Sequence, residues 1–197
     1  MKTKILILIL VLSLVLFTIG CNQQTTSSSG ATLSNEHKQV TTKQPSELIL
    51  TLSDLGEGYT TKESTPRLKS DVSEEGISWG WKDGYYVRHA RVGENIFDVT
   101  VIEHWVSIYP IENVGKNLEQ GEESNENVTY EELPSPNIGD KSRAWRVTTS
   151  DSSGESNRYY EIEFIKMNIY ERVDMSGTTT DYETLKTLAK KAEAKIK

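Results

Sequence analysis

The sequence predicts an α+β domain in which helices pack on an antiparallel sheet of about six strands. Three observations carry that prediction. Short runs of alternating apolar and polar residues recur between turn signals, the chain closes on an amphipathic segment, and helical spacing occurs at only two other places. Hairpins therefore outnumber strand–helix–strand units, which argues against a parallel sheet. Residues 46–197 are enough for one self-sufficient domain.

The domain opens with "SELILTLSDLGEGY". Ser46 is an N-cap candidate, Leu48, Leu52 and Leu55 recur at helical spacing, and Gly56 and Gly58 end the run. The alternation of Leu48, Leu50 and Leu52 also permits a strand. A polar strand or loop continues to about Ser73. In "GISWGWKDGYYVRHARV" the pair Asp83-Gly84 lies between two alternating runs, which predicts a two-residue type I′ hairpin. That register sets Trp81 opposite Tyr86 and Ser78 opposite His89, with Ile77, Trp79, Trp81, Tyr86 and Ala90 on the buried side.

"NIFDVTVIEHWVSIYP" is apolar on both faces, as a central strand is. Pro110 suits a first helical turn, and Ile111, Val114 and Leu118 give that helix a stripe. An acidic, Asn-rich loop and the turn-rich "LPSPNIGDKS" come next. "RAWRVTTS", "RYYEIEFIK" and "NIYERVDMSG" predict three more antiparallel strands, with Asn168 in the tight turn between the last two. In the final helix Thr180 and Glu183 form a capping box, and Leu185, Leu188, Ala189, Ala192 and Ile196 form one stripe.

Residues 1–20 are a separate unit. Lys2 and Lys4 precede the aliphatic run Ile5–Ile19, and Gly20 closes it, the layout of an export signal. Fifteen helical residues span about 22 Å, short of a hydrocarbon core of about 30 Å, so cleavage is expected rather than a retained anchor. Residues 21–45 are nearly devoid of apolar side chains and predict a disordered tether with an r.m.s. span of about 25–30 Å. Between the two lies Cys21, the single cysteine of the chain. It excludes an internal disulfide. The preceding Phe17-Thr18-Ile19-Gly20 resembles the lipobox of prokaryotic lipoproteins, with Thr18 where leucine is usual. The resemblance implies a diacylglycerol on Cys21 and cleavage after Gly20. Two acyl chains hold a protein on a bilayer stably where one does not.

"LTLSDLGEGY", "LPSPNIGD" and "SGTTTDYETLKTLAKKAEAKI" resemble a group of prokaryotic surface lipoproteins of unassigned function, with a layout similar to PsbP-like domains. The resemblance implies a fold and a location, and it carries no catalytic residue.

The whole chain has 22 basic and 29 acidic side chains, and loss of residues 1–20 removes only Lys2 and Lys4. The acidic balance argues against nucleic acid as a partner. "GISWG" matches G-x-S-x-G, but the stretch after Ser78 reads as a hairpin, not the helix whose N–H groups a serine hydrolase uses, so no enzyme is expected. Glu112, Glu119, Glu122, Glu123, Glu126, Glu131 and Glu132 read as a solvated acidic face without an EF-hand pattern. His89 and His104 lack a second ligand at zinc spacing, so neither metal nor cofactor is expected. Asn127-Val128-Thr129 is a glycosylation sequon. Most tryptophans are expected in the core, with Trp79, Trp81 and Trp105 the candidates to line a ligand groove.

The functional expectation is a non-catalytic, lipid-anchored domain on the outer face of a membrane, bound to lipid through Cys21 and to a protein or envelope partner through its folded part. The alternative is a receptor module for a small ligand, such as a carbohydrate, in an aromatic groove. A concave pocket lined by exposed Trp favours the receptor, and a flat apolar patch favours the protein partner.

Overall fold

The computed structural model divides into two compact units, Met1–Glu36 and His37–Lys197. It describes residues 40–95, 97–121, 124–150 and 156–197, all in the second unit. Cys21, the export signal, most of the predicted tether, Glu122 and Glu123 lie outside the described residues.

The sheet has seven antiparallel strands, not six: β1 (Tyr59–Pro66), β2 (Asp83–Val92), β3 (Val99–Ile108), β4 (Val128–Leu133), β5 (Lys141–Ser150), β6 (Ser156–Lys166) and β7 (Ile169–Gly177). Their order across the sheet is β1-β2-β3-β7-β6-β5-β4. The first arm of the predicted hairpin is not a strand; the polar stretch before Ser73 supplies β1, and the stretch predicted as an acidic loop supplies β4. Burial along β4 alternates only weakly, because an edge strand facing water needs no apolar row to pair. Both edges are polar. β1 carries an irregularity between Thr61 and Glu63 and ends at Pro66, and β4 carries Glu131 and Glu132.

One face of the sheet is covered. Ile102 and Val106 of β3, Ala144 of β5, Ile162 and Phe164 of β6, and Val173 and Met175 of β7 pack against helix α4 (Tyr182–Glu193) through Leu185, Leu188, Ala189 and Ala192. The apolar stripe of α4 is the predicted one, but the cap lies one residue later than Thr180. The Asp181 carboxylate accepts the Thr184 N–H at 2.8 Å.

The N-terminal segment completes this layer. The predicted single helix is instead two four-residue turns, α1 (Pro45–Leu48) and α2 (Leu52–Leu55), separated by extended residues. The reason is Leu50. Its side chain is fully buried, its N–H donates to Nδ1 of His104 at 3.0 Å, and its carbonyl lies 3.1 Å from Nε2 of His89. A continuous helix would consume both backbone groups itself. Packing also reaches further back than Ser46: the Thr41 N–H donates to the Asn168 side chain at 2.8 Å, and Lys43 Nζ reaches the Lys195 carbonyl.

The predicted hairpin at Asp83-Gly84 does not form. Residues Glu74–Ser78 are a helix, α3, capped by Ser73 through the Gly76 N–H, and β2 pairs with β1 and β3. Gly84 is a strand residue, not a turn residue. A Cβ there would sit 2.7 Å from the Val106 carbonyl and 3.2–3.3 Å from Trp81 and Arg67. Ser78 therefore does not face His89. The helix predicted after Pro110 is a 3₁₀ turn, Val114–Leu118. In the β6–β7 turn the positive φ belongs to Met167, while Asn168 is buried and holds Thr41.

Candidate functional site

The second face of the sheet is only partly covered. Residues of opposite parity to the core point there, and the pairing registers bring them into rows. One row runs Tyr86, Trp105, Arg172, Glu163, Arg143 across β2, β3, β7, β6 and β5. The next runs Glu103, Asp174, Glu161, Trp145 across β3, β7, β6 and β5. A third holds Gly84, Ser107, Tyr170 and Ile165. Among the described residues, a roof of secondary structure forms around the third row, while Asp174 and Glu161 of the second row and Glu163 of the first are buried as well. Over the third row α3 and the 3₁₀ turn build a small second core of Trp81, Tyr109, Val114 and Ile165, with Trp79 and Tyr170 packed against it.

Three carboxylates in one row, on neighbouring strands, would repel one another. Arg172 resolves this for two of them, and Glu103 accepts from the Tyr86 phenol with Arg88 3.9 Å away. Arg172 Nη2 lies 2.8 Å from both the Asp174 and the Glu161 carboxylates, and its guanidinium carbon sits 5.0 Å over the Trp105 ring. Burial still dominates at Asp174, pushing its pKa up to about 6 against the pull of Arg172. Burial, then the charge of Glu163, raises the Tyr170 phenol, which donates to that carboxylate. Burial and the bond to Glu103 likewise raise Tyr86. Tyr86 and Trp105 pack with ring centroids 5.0 Å apart.

Arg143 anchors the roof to the sheet. It pairs with Glu163, donates to the carbonyls of Asn117 and Gln120 at the end of the 3₁₀ turn, and lies 5.6 Å over the Trp145 ring. Asn113 Nδ2 donates to the Trp79 carbonyl at 2.9 Å, which ties α3 to the same turn.

A cleft of about 670 Å³ opens where the roof meets the charged rows. Val72, Trp79 and Tyr109 contribute its roof side, and Arg67, Arg143, Glu163, Tyr170 and Arg172 its sheet side. That volume suits a small ligand. Arg67 enters from the loop after β1. Its N–H donates to the Gly84 carbonyl at 3.0 Å, and its stem lies over Gly84, where any side chain would displace it. A second, smaller cleft between Arg67, Asp71, Tyr86 and Trp105 adjoins the first.

The tryptophans named from sequence divide. Trp79 lines the large cleft, Trp105 lines the adjoining one, and Trp81 is buried in the small core. The arginines and carboxylates of the face went unnamed at the level of sequence. Their signal is the alternation in "YEIEFI" and "IYERVDM", where Glu161, Glu163, Tyr170, Arg172 and Asp174 alternate with the core residues Ile162, Phe164, Val173 and Met175. Ser78 and His89 do not come together. The Ser78 hydroxyl donates to the Glu75 carbonyl at 2.7 Å, while His89 is buried beneath the covered face between Leu50 and Thr61. Asn127 precedes β4 at an exposed turn, its N–H held by Asn125 Oδ1. Among the described residues no group of three His, Cys, Asp or Glu is placed to hold a metal ion, and no helix is long and apolar enough to cross a membrane.

No protein-family model matches this chain, and no curated protein matches it in sequence. Two solved structures are similar in fold. The extracellular domain of PknH from Mycobacterium tuberculosis aligns with a TM-score of 0.53 at 10% identity, over 76% of this chain and 93% of that one. The Rv0999 ortholog from Mycobacterium smegmatis aligns with a TM-score of 0.45 at 12% identity, over 73% and 92%. The likeness to PknH is one of fold.

Proposed function

We propose that this chain is a lipid-anchored, extracytoplasmic binding domain without catalytic activity, and that it engages its ligand on the partly open face of its sheet. The observation that carries the binding reading is the cleft beneath the α3 roof, where Trp79 and three arginines converge beside the aromatic and charged rows. That cleft is concave, whereas the large exposed apolar residues among those described, Val40, Leu52, Leu68, Val92 and Phe97, lie in loops and at element ends. The cleft thus supports the small-ligand receptor, the alternative reading of the sequence, over the protein or envelope partner expected first. The location rests on the sequence at Gly20-Cys21. The PknH domain, extracellular in its own protein, offers a precedent for this fold in that setting.

Two experiments test the reading. Cys21→Ser should release the protein from the membrane fraction of cells; continued cofractionation refutes the anchor. A photoreactive residue at Tyr86, on the open face, should capture an envelope component in cells that the same residue at Leu52, on the helical side, does not. Equal capture from both positions, or capture from Leu52 alone, refutes the assignment of the open face.

A further inference from the structure

Arg67 differs from the other arginines of the cleft. Arg172 answers two carboxylates and Arg143 answers Glu163. Arg67 donates from Nη1 to the Ser107 hydroxyl at 2.7 Å and from Nη2 to the Asp71 backbone carbonyl at 2.7 Å, both neutral acceptors. Among the described residues no carboxylate lies in ion-pair contact with it; the Asp71 carboxylate is engaged instead by the Leu68 N–H and the Ser70 hydroxyl. Two bonds leave three of its five N–H donors unused. A half-buried guanidinium whose hydrogen-bond partners are neutral bears a desolvation cost, which the nearby charge of Asp71 offsets only in part and without a direct ion pair.

A like charge also stands close by. Arg172 lines the same cleft, near enough that its like charge acts on Arg67. Its Nη1 has no hydrogen-bond partner among the described residues, while Nε and Nη2 are held by Asp174 and Glu161. The carboxylate that does line the cleft, Glu163, already accepts from Arg143 and the Tyr170 phenol. Trp79 and Tyr109 supply aromatic surface on the opposite wall.

We infer that the cleft beneath α3 is a site for a small oxyanion, a carboxylate or phosphate carried on a ring, with Arg67 as its principal ligand. The anion takes the free donors of Arg67 and relieves its repulsion with Arg172; charge-assisted bonds to a guanidinium are the strong ones. The ring lies against Trp79, where a sugar or other planar group gains contact area. Gly84 is the seat of this device, because it lets the arginine stem lie flat on the sheet. The inference rests on the reading of the open face as the ligand surface and gives that surface a ligand class.

The test is calorimetric titration of the full chain in detergent micelles with glucose 6-phosphate, glucuronate, inorganic phosphate and neutral glucose at low ionic strength. Glucose 6-phosphate or glucuronate should bind at least tenfold more tightly than glucose, and inorganic phosphate more weakly than the ring-borne anions. Arg67→Gln should weaken that binding at least tenfold, and Arg67→Lys, which keeps the charge, less. Trp79→Leu separates the ring from the anion: it should weaken glucose 6-phosphate and leave inorganic phosphate unchanged. Unfolding midpoints of all variants identify any loss that comes from misfolding. Affinity unchanged in Arg67→Gln, glucose bound as tightly as its anionic derivatives, or heat from none of the four probes overturns the oxyanion site. The photocapture from Tyr86 is read independently, so a face that binds an uncharged ligand is told apart from one that binds none.

Discussion

The two faces of this sheet are built from the same strands and handle charge in opposite ways. On the covered face the ionisable pair His104 and Glu171 lies fully buried, Nε2 to Oε2 at 3.0 Å, with His104 Nδ1 committed to the Leu50 N–H. Because Nδ1 accepts that bond, the ring carries its proton on Nε2 and donates it to the carboxylate. His89 holds the other side of Leu50. Burial lowers the pKa of His89, although its bond to the Leu50 carbonyl works the other way. These groups fasten one backbone segment. On the open face, arginines, carboxylates and phenols form a continuous lattice whose members answer each other, with Arg67 outside that balance. Charge beneath the helices thus fastens the chain to itself, whereas on the other face Arg67 alone, beside the roof, meets only neutral hydrogen-bond acceptors.

Breaking the covered face should cost most. His104→Leu leaves Glu171 buried without its donor and the Leu50 N–H without an acceptor, so a loss of about 3–5 kcal/mol is expected in urea unfolding. A loss below about 1 kcal/mol would show that the pair is dispensable. Arg172→Met strips the counter-charge from Glu161 and Asp174 and should cost about 3 kcal/mol at pH 8. The deficit should shrink at pH 5, where Asp174 can take a proton; a deficit independent of pH contradicts the lattice.

Asp174 itself offers a sharper comparison. Its pKa in the folded chain, about 6, stands above the ordinary aspartate value of 3.8. A raised folded-state value means that protonation favours the fold. The contribution is therefore complete below about pH 4 and is lost as pH rises through 6, on the order of 2–3 kcal/mol. Relative to Asp174→Asn, the wild type should lose stability across that window; parallel curves for the two proteins would refute the assignment. Ser78→Ala should do least, within about 0.5 kcal/mol, since the side chain is exposed and bonds only the Glu75 carbonyl. Turnover of an activated ester that depends on Ser78 would overturn the non-catalytic reading.

How much of this could be read beforehand differs between the faces. The apolar residues of β5, β6, β7 and α4 repeat with clear periods, and the covered face arises from them. The hairpin prediction fails at Asp83-Gly84 because turn chemistry is local, whereas the advantage of placing Gly84 in a strand comes from Trp81 and Arg67 packing over it. The clamp on Leu50 is equally non-local, since His89 and His104 lie 39 and 54 residues away. Arg67 sits in a polar stretch with no period of its own, and its importance emerges only when β2, β3 and β7 bring Ser107, Arg172 and Tyr170 around it.

The polar margins of the sheet have a further consequence. Beta-strand addition needs a flat rim with free backbone groups, and the bulged β1, ending in proline, and the glutamate-bearing β4 discourage it. A membrane crowded with such molecules, as the proposed anchor would produce, should therefore hold them as separate units instead of ribbons. Each would present its own recognition surface to whatever diffuses past.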